Sequence, residues 1–245
     1  MRNWFSFNRQ RSDSFGLHVE RVPSQNRPAR KYDRYNVPGR NGDIFVFQDA
    51  WENVEQTYEI WGGNGSINNA TSVGYDLSGW LFSRNNDSGT GYEKLFDSYD
   101  PEHFRWAVFT GPFDFESVLT RRGRTEVTFS CDPRKFLTAS AENPVLIDNF
   151  PYSITNPTRY TAKPHFTIYG SGAATLSCSG KTITISDIVD GMFLDCENMR
   201  AYDGYGTNLN TLISGEFPVI EPGEQSITKT GGITSVELVP MWWEL

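Results

Sequence analysis

The chain contains no run of about 18 consecutive apolar residues, so nothing in it reads as a membrane-spanning helix. Its opening stretch, MRNWFSFNRQRSDSFG, also lacks the apolar core of a signal peptide, so synthesis in a cytoplasm, without export by that route or membrane insertion, is the expectation. Cysteine is scarce: Cys131, Cys178 and Cys196 are odd in number and far apart, which fits reduced, buried thiols better than a disulfide framework. Positive charge is in short supply as well. Lys and Arg total 22 against 30 Asp and Glu, a formal net charge of -8, and this opposes a general nucleic-acid-binding surface. His18, His103 and His165 lack metal-ligand spacing, and no G-x-S-x-G nucleophile elbow occurs. GGNGSINN, Gly62 to Asn69, lacks the Lys-Ser/Thr ending of a phosphate-binding loop and is read as an ordinary loop. No metal site, cofactor or catalytic residue is assigned.

Aromatic residues and turn formers are plentiful. They make up 14% of the chain and 35 positions (22 Gly, 13 Pro) respectively, a mixture that predicts a mainly β fold of short strands and many turns, with one short helical segment. WFSF and Leu17 to Val22 read as the two arms of a hairpin about a polar turn at Ser12 to Ser14. In RPARKYDRYNVPGRNGDIFVF, basic residues interleave with tyrosines ahead of turn dipeptides at Pro38-Gly39 and Asn41-Gly42, which lead into a strand from Ile44 to Phe47. One basic cluster in an acidic chain reads as a solvated or subunit-contacting segment. The helical segment is expected within GYEKLFDSYDPEHFRWAVF, whose apolar residues fall at roughly helical distances. RTEVTFSCDP alternates as a strand with Val127, Phe129 and Cys131 on one face.

Beyond Asp132 the texture changes, with five prolines from Pro133 to Pro164 set between short apolar runs, and a domain boundary is expected near residues 138 to 150. PHFTIYGSG, ATLSCSG, KTITISDI and GMFLDCE then follow as short strands with glycine turns, the pattern of a β-sandwich. Asp187, Asp190, Asp195, Glu197 and Asp203 would be the carboxylates of a glycosidase, but acidic residues beside strand turns are mostly solvated. Trp51, Trp61 and Trp80 would suit a sugar platform, although tryptophans of β-rich proteins are more often core.

Taken in order, VPGRNGDIFVF, LSGWLF, GYEKLFDSYDPEHFRWAVFTGPFDFES, RRGRTEVTFSCDPRKFL, NPTRYTAKPHFTIYGSG, LDCENMRAY, GEFPVIEPGEQSI and VELVPMWWEL resemble the distal tail proteins of long-tailed phages that infect Gram-positive bacteria. The family often carries an arginine where this chain has Met241. The resemblance implies an N-terminal belt domain over residues 1–140 and a C-terminal galectin-like β-sandwich over 141–245. It also implies a homo-hexameric ring at the distal end of a virion tail, between the tail tube protein and the tail-tip protein. DNA would pass through the bore without specific binding, and in some relatives receptor-binding proteins attach to the outward domain. The alternatives carried beside this structural hub are a carbohydrate-binding module for host wall sugar and a glycan hydrolase.

Ring closure calls for a repeating head-to-tail contact, which leaves strand edges and apolar patches exposed in the monomer. The residues assigned to it are Pro38, Gly39, Asn41, Gly42, Ile44, Phe45 and Phe47, with Phe113 and Phe115 of FDFES opposite. At the other end of the chain, Trp242, Trp243 and Leu245 are expected to anchor the terminus, with the tryptophan pair packed against the protein itself, at the seam between the domains.

Overall fold

The structure, a computed structural model, describes residues 3–24, 26–62, 67–83, 91–112, 116–118 and 122–245, with backbone alone at 67–73, 116–118, 122 and 123. The chain divides into two compact units, Met1–Lys135 with Leu245, and Phe136–Glu244. Among the described residues, no helix is long and apolar enough to cross a membrane.

In the first unit the strands are β1 (Phe5–Phe7), β2 (Gln10–Arg11), β3 (Leu17–Val19), β4 (Arg30–Tyr35), β5 (Ile44–Trp51), β6 (Val54–Gly62), β7 (Glu93–Asp97), β8 (His103–Phe109), β9 (Glu116–Val118) and β10 (Arg122–Cys131). The main sheet runs β2-β1-β7-β8-β10-β6-β3, with β9 also paired to β10, while β4 and β5 form a two-stranded sheet of their own. Period-two alternation buries one face of the main sheet. Val127, Phe129 and Cys131 on β10 are fully buried, as are Tyr58 and Ile60 on β6. Phe5 sits at the centre of this core, stacked on Tyr58 at 4.6 Å and on Trp80 at 5.4 Å, with the edge of Phe129 at 5.6 Å.

Three local expectations are corrected. The helix α1 spans Ile67–Leu81, in and beyond the stretch read as a loop, whereas GYEKLFDSYDPEHFRWAVF forms the antiparallel pair β7 and β8. Gly74 and Gly79 lower the intrinsic helix propensity of α1, but Leu77, Trp80 and Leu81, at i, i+3 and i+4, bury one stripe against the sheet, and that burial holds the helix. The indole Nε1–H of Trp80 donates to the Phe7 carbonyl at 2.8 Å. Between β7 and β8, Asp97 accepts hydrogen bonds from the backbone N–H groups of Tyr99 and Asp100, both at 2.9 Å, and this Asx turn reverses the chain where a helix was expected. The N-terminal hairpin is likewise absent as drawn: β1 pairs with β2 and β7, and β3 pairs with β6.

In the second unit, β11 (Lys135–Leu137) runs across the division and leads into the short helix α2 (Thr138–Glu142). There follow β12 (Val145–Ile147), β13 (Tyr152–Asn156), β14 (His165–Cys178), β15 (Lys181–Ile185), β16 (Met192–Asp195), β17 (Arg200–Tyr202), β18 (Ile213–Gly215), β19 (Gly223–Val239) and β20 (Trp243–Glu244). The two longest strands, β14 and β19, pair along most of their length. At one end they join β12, β16 and β17, and at the other they join β13, β15 and β18. They bend from one set to the other at register shifts beside Gly170. At Gly231, where φ is +74°, an added Cβ would lie 2.1 Å from the Ala173 carbonyl oxygen, so glycine alone permits the close crossing. Between the curled strands lies a core that includes Phe166, Ile168, Leu176, Ile183, Leu194 and Ile227. Cys178 and Cys196 belong to it, and all three cysteines are free and buried. Burial pushes the thiol of Cys131 up to about 12 and those of Cys178 and Cys196 upward too, so the three stay protonated and unreactive.

Candidate assembly interface

The hairpin of β4 and β5 departs from the burial rule of the rest of the first unit. Every residue of β4 is exposed, and so are the first six of β5. Tyr32, Tyr35, Val37, Ile44, Phe45, Val46 and Phe47 are between 36% and 55% exposed, an apolar surface on both sides of the ribbon that no other strand or helix among the described residues covers. Register divides these residues between two faces. Tyr32 lies opposite Phe47 and Arg34 opposite Phe45, while Asp33 pairs with Val46 and Tyr35 with Ile44. On the first face Tyr32 meets the edges of Phe45 and Phe47, with ring centroids at 5.2 and 6.1 Å, and the Arg30 guanidinium lies over Phe47 and Trp51.

Polar contacts stiffen the ribbon. Gln48 donates to Asp33 at 3.0 Å; Asp43, at the turn, accepts from the Arg34 guanidinium and from Asn36. Pro38-Gly39 and Asn41-Gly42 form the turn, with Gly42 at a φ of +81° that side-chain-bearing residues rarely adopt. Near the base, a bulge falls between the pairs Arg30/Trp51 and Tyr32/Phe47, and Asp49 there takes a left-handed φ of +49°. Below the bulge Glu52 N–H donates to the Ala29 carbonyl, and Asn53 Nδ2 reaches Tyr92 Oη at 2.8 Å and Ser130 Oγ at 3.0 Å. The arm is thus pinned at its root to the main sheet through β6 and bare above it.

Seven of the nine residues assigned to the interface, Pro38, Gly39, Asn41, Gly42, Ile44, Phe45 and Phe47, come together on this one hairpin. Phe113 and Phe115 lie outside the described residues. Sequence reasoning did not assign Tyr32, Tyr35 or Val46; the signal was present in the tyrosines interleaved with basic residues, but placing them on the same patch needed the cross-strand register.

At the end of the chain, Trp242 is 8% exposed within the core of the second unit. Its backbone N–H donates to Ser140 Oγ at 3.0 Å, and its carbonyl accepts from Leu137 N–H at 2.9 Å. Trp243 stacks on Tyr160 at 4.3 Å and donates from Nε1 to the Thr161 carbonyl. Leu245 clusters with the first unit.

Three of the five carboxylates considered for hydrolysis accept backbone hydrogen bonds. Asp190 accepts from Gly170 N–H, Asp195 accepts from the backbone and side-chain amides of Asn198, and Asp203 accepts from Tyr205 and Thr207 N–H. Those backbone hydrogen bonds, that from Thr207 first, hold Asp203 below the usual carboxylate range. Trp51, Trp61 and Trp80 sit on three different elements, Trp80 buried in the core, Trp61 against His18 and Trp51 under Arg30.

No protein-family model matches the chain, and no curated protein matches its sequence. Among solved structures it is similar to the Dit protein (gp 19.1) of phage SPP1, described as a paradigm of the hub adsorption apparatus in phages that infect Gram-positive bacteria. The match has a TM-score of 0.75 and covers 99% of this chain and 99% of that one at 12% identity. The chain therefore has a mostly β, Dit-like fold from end to end.

Proposed function

We propose that this protein is a structural hub of a phage tail tip, a virion component that closes into a homo-hexameric ring through the β4–β5 hairpin. The observation that carries the reading is an uncovered aromatic ribbon on a chain that shares, over 99% of its length, the fold of a protein described as part of a hub adsorption apparatus. A hairpin rooted in a sheet and bare on both faces suits a heterologous contact, in which the arm of one copy seats on a different surface of the next and rotation closes the ring. Each aromatic side chain withdrawn from water there contributes roughly 1 to 2 kcal/mol. The first unit serves as the ring-forming belt, and the second, as an outward galectin-like domain, supports adsorption proteins. The ring joins the tail tube to the tail-tip protein, and a net charge of -8 suits a bore that lets DNA pass without holding it.

Absolute mass by light scattering over a concentration series, with negative-stain images, tests this. Six-fold particles, or a concentration-dependent approach to them, are expected from the native chain. Ile44→Asp and Phe45→Asp should reduce the mass to that of a monomer without lowering the melting temperature. A strict monomer that binds host wall sugar would replace the hub with a carbohydrate-binding module, and rings that survive both substitutions would remove the hairpin from the interface.

A further inference from the structure

The first unit also contains a pocket, open to solvent, beside the turn that joins β7 to β8. Arg105 lines it and is only 6% exposed. Two of its guanidinium nitrogens, Nε and Nη1, are buried without a hydrogen-bond partner, as is the hydroxyl of Tyr99 on the same lining. The carboxylates close by are already committed. Asp97 accepts from Tyr58 Oη at 3.0 Å and from the backbone of the Asx turn, and Asp100 pairs with Lys135 Nζ at 2.5 Å and His103 Nδ1 at 2.7 Å. Asp132, whose charge reaches Arg105, is held by the guanidinium of Arg134 at 2.9 Å.

What remains unsatisfied is therefore a set of donors. A buried guanidinium with two nitrogens unpaired is unfavourable for a fold to hold, because their lost hydration is returned only by a hydrogen-bonded acceptor. Burial lowers the Arg105 pKa from its ordinary value and outweighs the opposing influence of Cys131, Tyr58 and Asp132. An acceptor-only, planar ligand matches the guanidinium fork, and a carboxylate has that geometry. Val22, Leu95 and Phe104 add an apolar wall suited to a few methylene groups.

We propose that Arg105 and Tyr99 form a binding site for a carboxylate carried on a short aliphatic stem. The carboxylate comes either from an acidic side chain of a neighbouring copy of this chain or from a small free acid. Sodium butyrate is the probe, with butyramide as the neutral control and sodium chloride at matched ionic strength, tested on the full chain. Saturation-transfer NMR should detect butyrate but not butyramide, and butyrate should raise the melting temperature in a saturable way. Both effects should vanish in Arg105→Met. Tyr99→Phe and Arg105→Lys, which disturb packing less, should each weaken binding about tenfold, the loss expected for one charge-assisted hydrogen bond.

Particle mass distinguishes the two sources. Butyrate that binds and also dissociates assembled particles assigns the site to a neighbour's side chain; butyrate that binds with the mass unchanged assigns it to a free acid. Butyrate bound equally by native chain and Arg105→Met, or not bound at all, would overturn the proposal. The site and the hub reading fail separately, since a monomer that bound butyrate through Arg105 would retain the site while removing the hub reading.

Discussion

Strands β5 and β6 are separated by two residues and meet opposite fates. Ile44 to Phe47 is an unbroken apolar run, yet each of its side chains is exposed; Val54 to Gly62 is interrupted by Glu55, Thr57 and Glu59, yet its inward residues are among the most buried in the chain. Hydrophobicity alone does not bury a strand. β6 lies between β10 and β3 with a layer of aromatic rings against its inner face, whereas among the described residues β5 pairs with β4 alone and its first six side chains are exposed. The contrast separates residues that hold the fold from residues that are free to meet a partner.

Substitutions can break that contrast. The largest effect is expected on β6: Tyr58→Ala removes a ring that is 1% exposed and stacked on Phe5, and should destabilise the first unit by about 3 to 5 kcal/mol in chemical denaturation. Trp242→Ala tests whether a residue three positions from the end of the sequence behaves like β6. A loss of about 3 kcal/mol in the second unit is expected, and a change below about 0.5 kcal/mol would class it with the hairpin. On the arm, Gly42→Ala should favour opening of the turn by about 1 kcal/mol, read as faster amide exchange confined to residues 30–51. Phe47→Ala should shift stability by no more than about 0.5 kcal/mol while lowering particle mass at a given concentration, and a large loss of stability would show that the arm is part of the core.

The smallest effect concerns Asp100. Burial opposes its ionisation, but the hydrogen bonds from Lys135 and His103 prevail and hold its pKa below the ordinary 3.8. A depressed folded-state pKa contributes stability that is present above the unfolded value and lost as pH falls through the folded one. Asp100→Asn should therefore be less stable than the native chain at pH 7. The two melting curves should converge as the pH is taken below about 3.8. A gap that persisted in acid would mean the carboxylate acts through shape and not charge.

Some of this was legible without coordinates. The alternation of RTEVTFSC placed Val127, Phe129 and Cys131 inward, and all three are fully buried. Two turn dipeptides marked the tip of the arm. The helix escaped notice because its glycines and asparagines give no local signal; only the stripe of Leu77, Trp80 and Leu81, once a sheet lies beneath it, makes that segment helical. The spacing in GYEKLFDSYDPEHFRWAVF misled in the opposite direction, since the Asx turn at Asp97 outweighed an irregular helical pattern. Arg105 gave no warning either, because a lone arginine within a strand pattern does not reveal that its neighbouring acids will be taken by other donors.

By itself, the sequence determined the β character of the chain, the free thiols, the turn at the hairpin tip and the strand faces where polar and apolar residues alternate, because each of these depends on neighbours a few positions away. Only the tertiary structure decided which strands are covered, which carboxylates are spoken for and which guanidinium is left over. Those are set by groups distant in sequence, such as Phe5 against Tyr58 and Lys135 against Asp100, whose meeting no local pattern encodes.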